Sequence, residues 1–111
     1  MKRIGIGRLP RGDNLETLLK SGRRVSSDFF RIAVGKSGTD ALRLAVIAGK
    51  IIDKRAVVRN TLRRRIREYA RAHQDLLPAG RDIAIVVKKE AATLSRSDFY
   101  GALREILSRI P

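Results

Sequence analysis

Apolar positions change their period several times along the chain, and each change predicts an element. Leu15, Leu18 and Leu19 recur at the i, i+3, i+4 spacing of one helical face over residues 13 to 21. Asp13 or Asn14 is placed to cap that helix and Gly22 to stop it. From Phe29 the period drops to two: Phe30, Ile32 and Val34 alternate with Phe29, Arg31 and Ala33, as in a strand with one face on a core. GKSGTDAL, residues 35 to 42, carries turn formers, and RLAVIAG, 43 to 49, reads as the returning strand of an antiparallel pair. Arg23 to Asp28 adds a short extended piece ahead of that pair. Over residues 54 to 71 the helical period returns, and at about 100° per residue Val58, Leu62, Ile66 and Tyr69 fall in a stripe roughly 80° wide. QDLLPAGRD breaks the chain at Pro78 and Gly80, and the β-branched run IAIVV, 83 to 87, reads as a buried central strand. Ser95 or Ser97 caps a last helix in which Phe99, Leu103, Ile106, Leu107 and Ile110 keep helical spacing.

This order predicts an α+β fold: a small mixed four-stranded sheet with three helices, in the order α-β-β-β-α-β-α. A chain of 111 residues is one domain. Residues 1–12 hold Lys2, Arg3, Arg8 and Arg11 among glycines and a proline without apolar period, and read as a flexible basic arm before a single domain at 13–111. GIGRLPRG is not a phosphate-binding loop of the Gly-Lys-Ser/Thr type, since no strand precedes it and no such triplet closes it.

Charge turns this outline into a function class. The chain carries a formal +14, and residues 54 to 71 alone hold eight Lys or Arg against one Glu. On the helix they form, Arg59, Asn60, Arg63, Arg64, Arg67 and Arg71 spread over the side opposite the apolar stripe, with Lys54 and Arg55 at its start. Such a one-sided array repels itself unless a polyanion meets it, and arginine's planar fork suits phosphate better than an ammonium does. Nucleic acid is therefore the expected partner. Without Trp or Phe anchors beside the narrow stripe the helix is not a membrane binder, and with neither a helix-turn-helix pair nor a heptad zipper no DNA partner is expected. No apolar run is long enough to span a bilayer, cysteine is absent and the N-terminus has no signal-peptide core, so a cytoplasmic location is expected.

Chemistry on the chain itself is sparse. There is no Cys, no Ser/His/Asp set, no His pair at metal-ligand spacing and no obvious acid pair for two metals. His73 reads as a donor at a helix end, Asp53 as a residue of a helix N-terminus and Glu68 as a partner for Arg64 or Arg71. No catalytic residue and no metal ligand is assigned.

The run KRAVVRNTLRRRIREYAR, residues 54 to 71, resembles the signature helix of the bacterial ribonuclease P protein subunit, with pattern R-N-R-x-[KR]-R-L-x-R-E. Arg59, Asn60, Arg63, Arg64, Arg67 and Glu68 fall on matching positions; Thr61 and Arg65 depart from it, the first off the basic face and the second beside the apolar stripe. PAGRDIAIVV, 78 to 87, is similar as well. The resemblance implies a left-handed crossover, against the general right-handed rule. It also implies an active site on a catalytic RNA subunit that holds Mg2+, and precursor tRNA as the substrate that loses its 5′ leader by hydrolysis to a 5′-phosphate. The protein's share would be to bind the catalytic RNA through Lys54, Arg55, Arg59, Asn60, Arg63, Arg64, Arg67 and Arg71. Leader contacts would come from Leu15, Leu19, Arg31, Ala33 and Arg43, with Arg31 and Arg43 beside Ala33 and Ala45 in a shallow trough on an exposed sheet face. Leu15, Leu19 and Ala33 stand where the family tends to offer aromatic rings. A structural RNA-binding protein of ribosomal type is the alternative.

Overall fold

The computed structural model of the chain describes residues 6–10 and 12–110. Lys2, Arg3 and Arg11 of the expected basic arm lie outside them. The elements run β1 (Ile6–Arg8), α1 (Asp13–Ser21), β2 (Arg23–Ser26), β3 (Phe30–Lys36), β4 (Leu42–Ile47), α2 (Ala56–Ala72), β5 (Arg81–Val87) and α3 (Arg96–Leu107). Two 3-10 turns, Gln74–Leu76 and Lys89–Thr93, flank β5. The α+β class, the three helices and the four expected strands are all present.

Two expectations need correction. Ile6–Arg8, read as part of a flexible arm, is a fifth strand that pairs in parallel with β4, Gly7 opposite Arg43. Strands β3 and β4, read as a hairpin pair, are not neighbours: the sheet order is β1-β4-β5-β3-β2, with β5 inserted antiparallel to β3 and parallel to β4. The β4-α2-β5 segment thus joins adjacent parallel strands through a helix, and the turn-rich residues between β3 and β4 pass across the end of β5. Their ties run to that end: Gly80 N–H donates to Asp40 O and Ser37 N–H to Gly80 O, 3.2 and 3.0 Å.

Alternation along the strands sends two different sets of side chains to the two faces. One face carries Phe30, Ile32, Val34, Leu44, Val46, Ile83, Ile85 and Val87, packed under Leu62, Ile66 and Ala70 of α2 and Phe99, Leu103, Ile106 and Leu107 of α3. The other carries Ala33, Ala84 and Ala45 in one row across β3, β5 and β4. Small side chains there let α1 cross the sheet, with Leu15 and Leu18 buried on the alanines. Leu18 Cδ1 reaches within 2.9 Å of where a Cβ on Gly35 would stand.

The ends of α1 follow from glycines rather than from a side-chain cap. Neither Asp13 nor Asn14 caps the helix; its N-cap is Gly12, whose φ of 149° lies where residues with a Cβ rarely go. Asp13 instead stands in the first turn, where an acid favours the helix dipole. At the other end a Cβ on Gly22 would meet Leu18 O at 2.6 Å, so only glycine lets the chain turn tightly into β2. Helix α3 begins as expected, with Ser95 Oγ accepting from Asp98 N–H at 3.1 Å.

Candidate nucleic-acid interface

Helix α2 holds most of the expected apolar stripe on the sheet, Leu62 and Ile66 buried and Tyr69 half-buried against the core; Ala70, which the projection left out, is buried with them, while Val58 is only half-buried and stands outside the core cluster. That orientation leaves Arg64 and Arg71 exposed and Arg59, Arg63 and Arg67 half-buried on the flank nearest β4. The flank explains a division among the arginines that the helical projection alone does not contain. Strand β1 is only three residues long, so β4 is an open edge beyond it, and open edges present unpaired carbonyls. Arg63 Nη2 donates at 2.7 Å to Ala48 O, just past the end of β4, and Arg67 Nη1 makes a longer contact, 3.4 Å, to Leu44 O, which already accepts from Leu9 N–H at 3.0 Å. Arg59 Nη1 donates to Asp53 O and Lys54 O at 3.0 and 2.8 Å, closing the turn that enters α2. These three arginines are anchored by their own fold, and Arg64 and Arg71 project from it.

Asn60 is exposed, and its Oδ1 accepts from Arg63 Nη1 at 2.7 Å. The Arg-Asn pair that carries the sequence resemblance is thus a clamp: Asn60 and Ala48 O together fix the direction of one guanidinium. Asn60→Ala is expected to leave the melting temperature unchanged within about 2 °C, because an exposed bond contributes little, while weakening RNA binding through a loosened Arg63. A thermal melt and an RNA titration of the same variant check both halves; unfolding would make Asn60 structural.

The basic face is wider than α2. Arg8, delivered by β1, lines one shallow cleft of about 390 Å³ with Asn60, Arg63, Arg64, Arg67, Glu68 and Arg71. Sequence reasoning left this residue in the arm, since three residues of edge strand carry no period to read. Burial, and after it the neighbouring charges of Arg8, Arg63 and Arg71, lower the Arg67 guanidinium's pKa. The only acid in the cleft, Glu68, sits at a loose 3.9 Å from Arg64, both well exposed. Glu68 therefore pairs with Arg64, one of the two expected partners, and screens it weakly.

The remaining sequence candidates fall into place around this face. Lys54 and Arg55 are exposed at the helix start; Arg55 is tied to Asp53 by a 3.0 Å ion pair, and Asp53 Oδ1 also accepts the Arg55 N–H at 2.8 Å. The Arg55 side chain and then its N–H hold the Asp53 carboxyl at about 2, below the ordinary value of 3.8. A folded-state pKa below the unfolded one stabilises above pH 3.8 and loses that contribution as pH falls towards 2. Melting curves of the natural chain and of Asp53→Asn should therefore differ at about pH 5 and converge between pH 3.8 and 2. Thr61 Oγ1 donates back to Val57 O and leaves the basic face to the arginines. His73 caps α2, its Nδ1 2.9 Å from Tyr69 O and its ring stacked on Tyr69 at 4.0 Å, as a helix-end donor should. Among the described residues no three His, Asp or Glu side chains gather as a metal-binding group, and no helix is long and apolar enough to cross a membrane.

The expected trough on the other sheet face is not formed as drawn. Ala33 is 3% exposed and lies under α1, as do Ala45 and Ala84, so these positions are a helix bed and not an open floor. Leu15 is buried on that bed, and only Leu19 is partly open. Arg31 and Arg43 stand on opposite sides of α1: Arg31 shares a row with Val86 and Ile47, and Arg43 shares one with Asp82 and Gly35. Arg43 is also already engaged, its Nε and Nη2 each 2.7 Å from the two oxygens of the largely buried Asp82. What stays open is a strip of Arg31, Val86 and Ile47 beside Leu19. Near Ile47 it meets a second cleft of about 390 Å³, lined by Leu9, Leu15, Ala45, Arg63 and Arg67 among others.

Fold and face together define a small α+β protein built to hold a polyanion along one helix and the adjoining sheet edge. Comparison with known proteins makes the assignment specific. The profile of the ribonuclease P family matches residues 7–111. A ribonuclease P protein component of Desulforapulum autotrophicum is 33% identical over 102 residues, covering 92% of this chain and 86% of that one. The solved ribonuclease P protein of Thermotoga maritima superposes with a TM-score of 0.82 at 27% identity, covering 94% of this chain and 97% of that one. The Staphylococcus aureus protein has the same fold, with a TM-score of 0.82 at 23% identity over 90% and 91% of the two chains. The chain belongs to the ribonuclease P family, among its protein components.

Proposed function

We propose that the chain binds the catalytic RNA of bacterial ribonuclease P through the α2 face and helps it remove the 5′ leader of precursor tRNA. The observation that carries this reading is the clamp and cleft on α2: Asn60 directing Arg63, with Arg8, Arg64, Arg67 and Arg71 gathered around it and one weakly paired acid. Such a surface neutralises phosphates and releases their counterions on binding. The phosphodiester hydrolysis, leaving a 5′-phosphate on the tRNA, is assigned to the RNA, with Mg2+ held mainly there. The chain's own part is electrostatic. By lowering repulsion between two RNAs it raises substrate affinity and the occupancy of the RNA's metal sites. The leader is assigned to the open strip of Arg31, Val86 and Ile47 beside Leu19, which leads to Arg63 and Arg67. Leu15, Ala33 and Arg43, engaged within the fold, are left out of that contact. Work on RNA of this kind belongs in the cytoplasm.

The test is reconstitution with the catalytic RNA of the same organism and a precursor tRNA cleavage assay at low magnesium. Added chain should raise the cleavage rate and lower the magnesium needed. No stimulation would overturn the reading.

A further inference from the structure

Both tyrosines of the chain and its single histidine meet on the flank of α2 turned away from β4. The Tyr69 ring stacks on His73 at 4.0 Å and 18° and on Tyr100 of α3 at 5.6 Å and 19°, so three nearly parallel rings form a ladder across the seam between the two helices. All three are half-buried, and neither phenol hydroxyl is hydrogen-bonded among the described residues. Arginines edge the seam. Arg65 stands four residues before Tyr69 on α2, and Arg96 and Arg104 stand four before and four after Tyr100 on α3, the spacing of neighbours on a helix face. None of these three side chains is ion-paired or hydrogen-bonded among the described residues. The two acids of α3, Asp98 and Glu105, line a cleft on its other flank with Phe29, and Glu105 is taken by Arg109 at 3.1 Å. Charge on α3 is thus sorted, with acids away from the ladder and arginines beside it.

We propose that this ladder is a stacking platform for an unpaired base of the catalytic RNA, with the phosphates on either side of that base held by Arg65 and Arg104. Parallel rings offer a π surface on which a base continues the stack, and arginines alongside neutralise the flanking phosphates. That combination is how proteins hold single strands without reading their sequence. Position selects the catalytic RNA over the leader. Helices α2 and α3 pack on one face of the sheet, whereas the strip of Arg31, Val86 and Ile47 lies on the other face with α1. RNA held along the exposed side of α2 reaches the seam by crossing that one helix, from Arg64 to its chain neighbour Arg65. Arg65, one of the two departures from the family pattern, gains a task there. The site rests on the reading of the chain as a ribonuclease P protein component, and deepens it.

The experiment uses the full chain with Tyr100→Leu, Tyr100→Phe and the double substitution of Arg65→Gln with Arg104→Gln. Affinity for the catalytic RNA is measured across a series of salt concentrations, well below the melting midpoint of each variant, with precursor and mature tRNA as separate ligands. Tyr100→Leu should weaken binding to the catalytic RNA about tenfold with the log K against log salt slope unchanged, since a stacked base adds no ion release. Tyr100→Phe keeps the ring and should bind as the natural chain does. The arginine pair should lower the magnitude of the slope by about 2. Affinities for the tRNAs should not change in any of them. Because the chain has no tryptophan, the fluorescence lifetime of its tyrosines reports on the ladder alone, and it should shorten when the catalytic RNA binds. Equal affinities of the leucine and phenylalanine variants, or an unchanged lifetime, would make the ladder a helix-packing contact and overturn the site. So would a loss of affinity confined to precursor tRNA. Cleavage stimulation by the natural chain in the same preparation tests the family reading separately, so that a failure of one is not taken for a failure of the other.

Discussion

Removing Arg64, Arg67 and Arg71 together should weaken binding to the catalytic RNA about 100-fold near physiological salt. Each phosphate neutralised contributes about 0.7 to 0.9 to the salt slope, which at ~0.15 M is about fivefold in affinity. The single variants should then separate by what each guanidinium does in the free protein. Arg64→Ala and Arg71→Ala remove exposed side chains and should lower the slope by about 1 with the melting temperature unchanged. Arg63→Ala also strips Ala48 O, just past the end of β4, of its 2.7 Å donor, and Arg59→Ala releases the turn at Asp53 and Lys54. Each of these two should cost about 1 kcal/mol of stability, with water replacing part of the lost bond, besides its effect on RNA. Titrations and melts on one panel distinguish the two groups. Unchanged slopes across the panel would mean that α2 does not meet RNA, and equal stability losses throughout would mean that the edge contacts are incidental.

The same helix shows how far sequence reasoning reached. Leu62, Ile66 and Tyr69 of its stripe, its basic side and the place of Thr61 off that side all follow from a rotation of about 100° per residue, whereas Ala70 took the core place expected of Val58. The arginines looked equivalent because the projection holds only the helix, whereas their differences come from backbone carbonyls in and just after β4 and in the turn that enters α2. Pairing across long separations was hidden for a similar reason. Period two identifies β3 and a continuous apolar run marks β5 as central, as it is, but neither says which strands lie beside it. The turn-rich residues between β3 and β4 suit a hairpin as well as the passage across β5 that they make. Residues 6 to 8 joined the sheet through backbone bonds, which leave no mark on the pattern of side chains. Ala33, Ala45 and Ala84 were legible as small residues on one face. Their meaning as the bed of α1 required the register that puts all three in one row.

That register reverses what a tyrosine at position 33 should do. On an open leader track it would add a stacking surface for an unpaired base, worth roughly 1 to 3 kcal/mol. Under α1 there is no room for it: Ala33 is 3% exposed, with Leu15 and Leu18 packed on its row. Ala33→Tyr should therefore lift the helix and destabilise the protein by about 1 to 3 kcal/mol or more, as overpacking of a tight core does. Precursor tRNA and mature tRNA binding should fall together with it. The aromatic ring belongs instead at Ile47, which is partly open beside Leu19 and borders the cleft containing Arg63 and Arg67. Ile47→Tyr should keep the fold and tighten precursor binding up to about tenfold over mature tRNA, a gain set by one stacked base and little affected by salt. Affinities of both variants for precursor tRNAs with leaders of different lengths, measured in the reconstituted complex, decide the matter. Tighter precursor binding by Ala33→Tyr would return the leader to the alanine row. A neutral Ile47→Tyr, correctly folded, would remove the leader from the strip of Arg31, Val86 and Ile47.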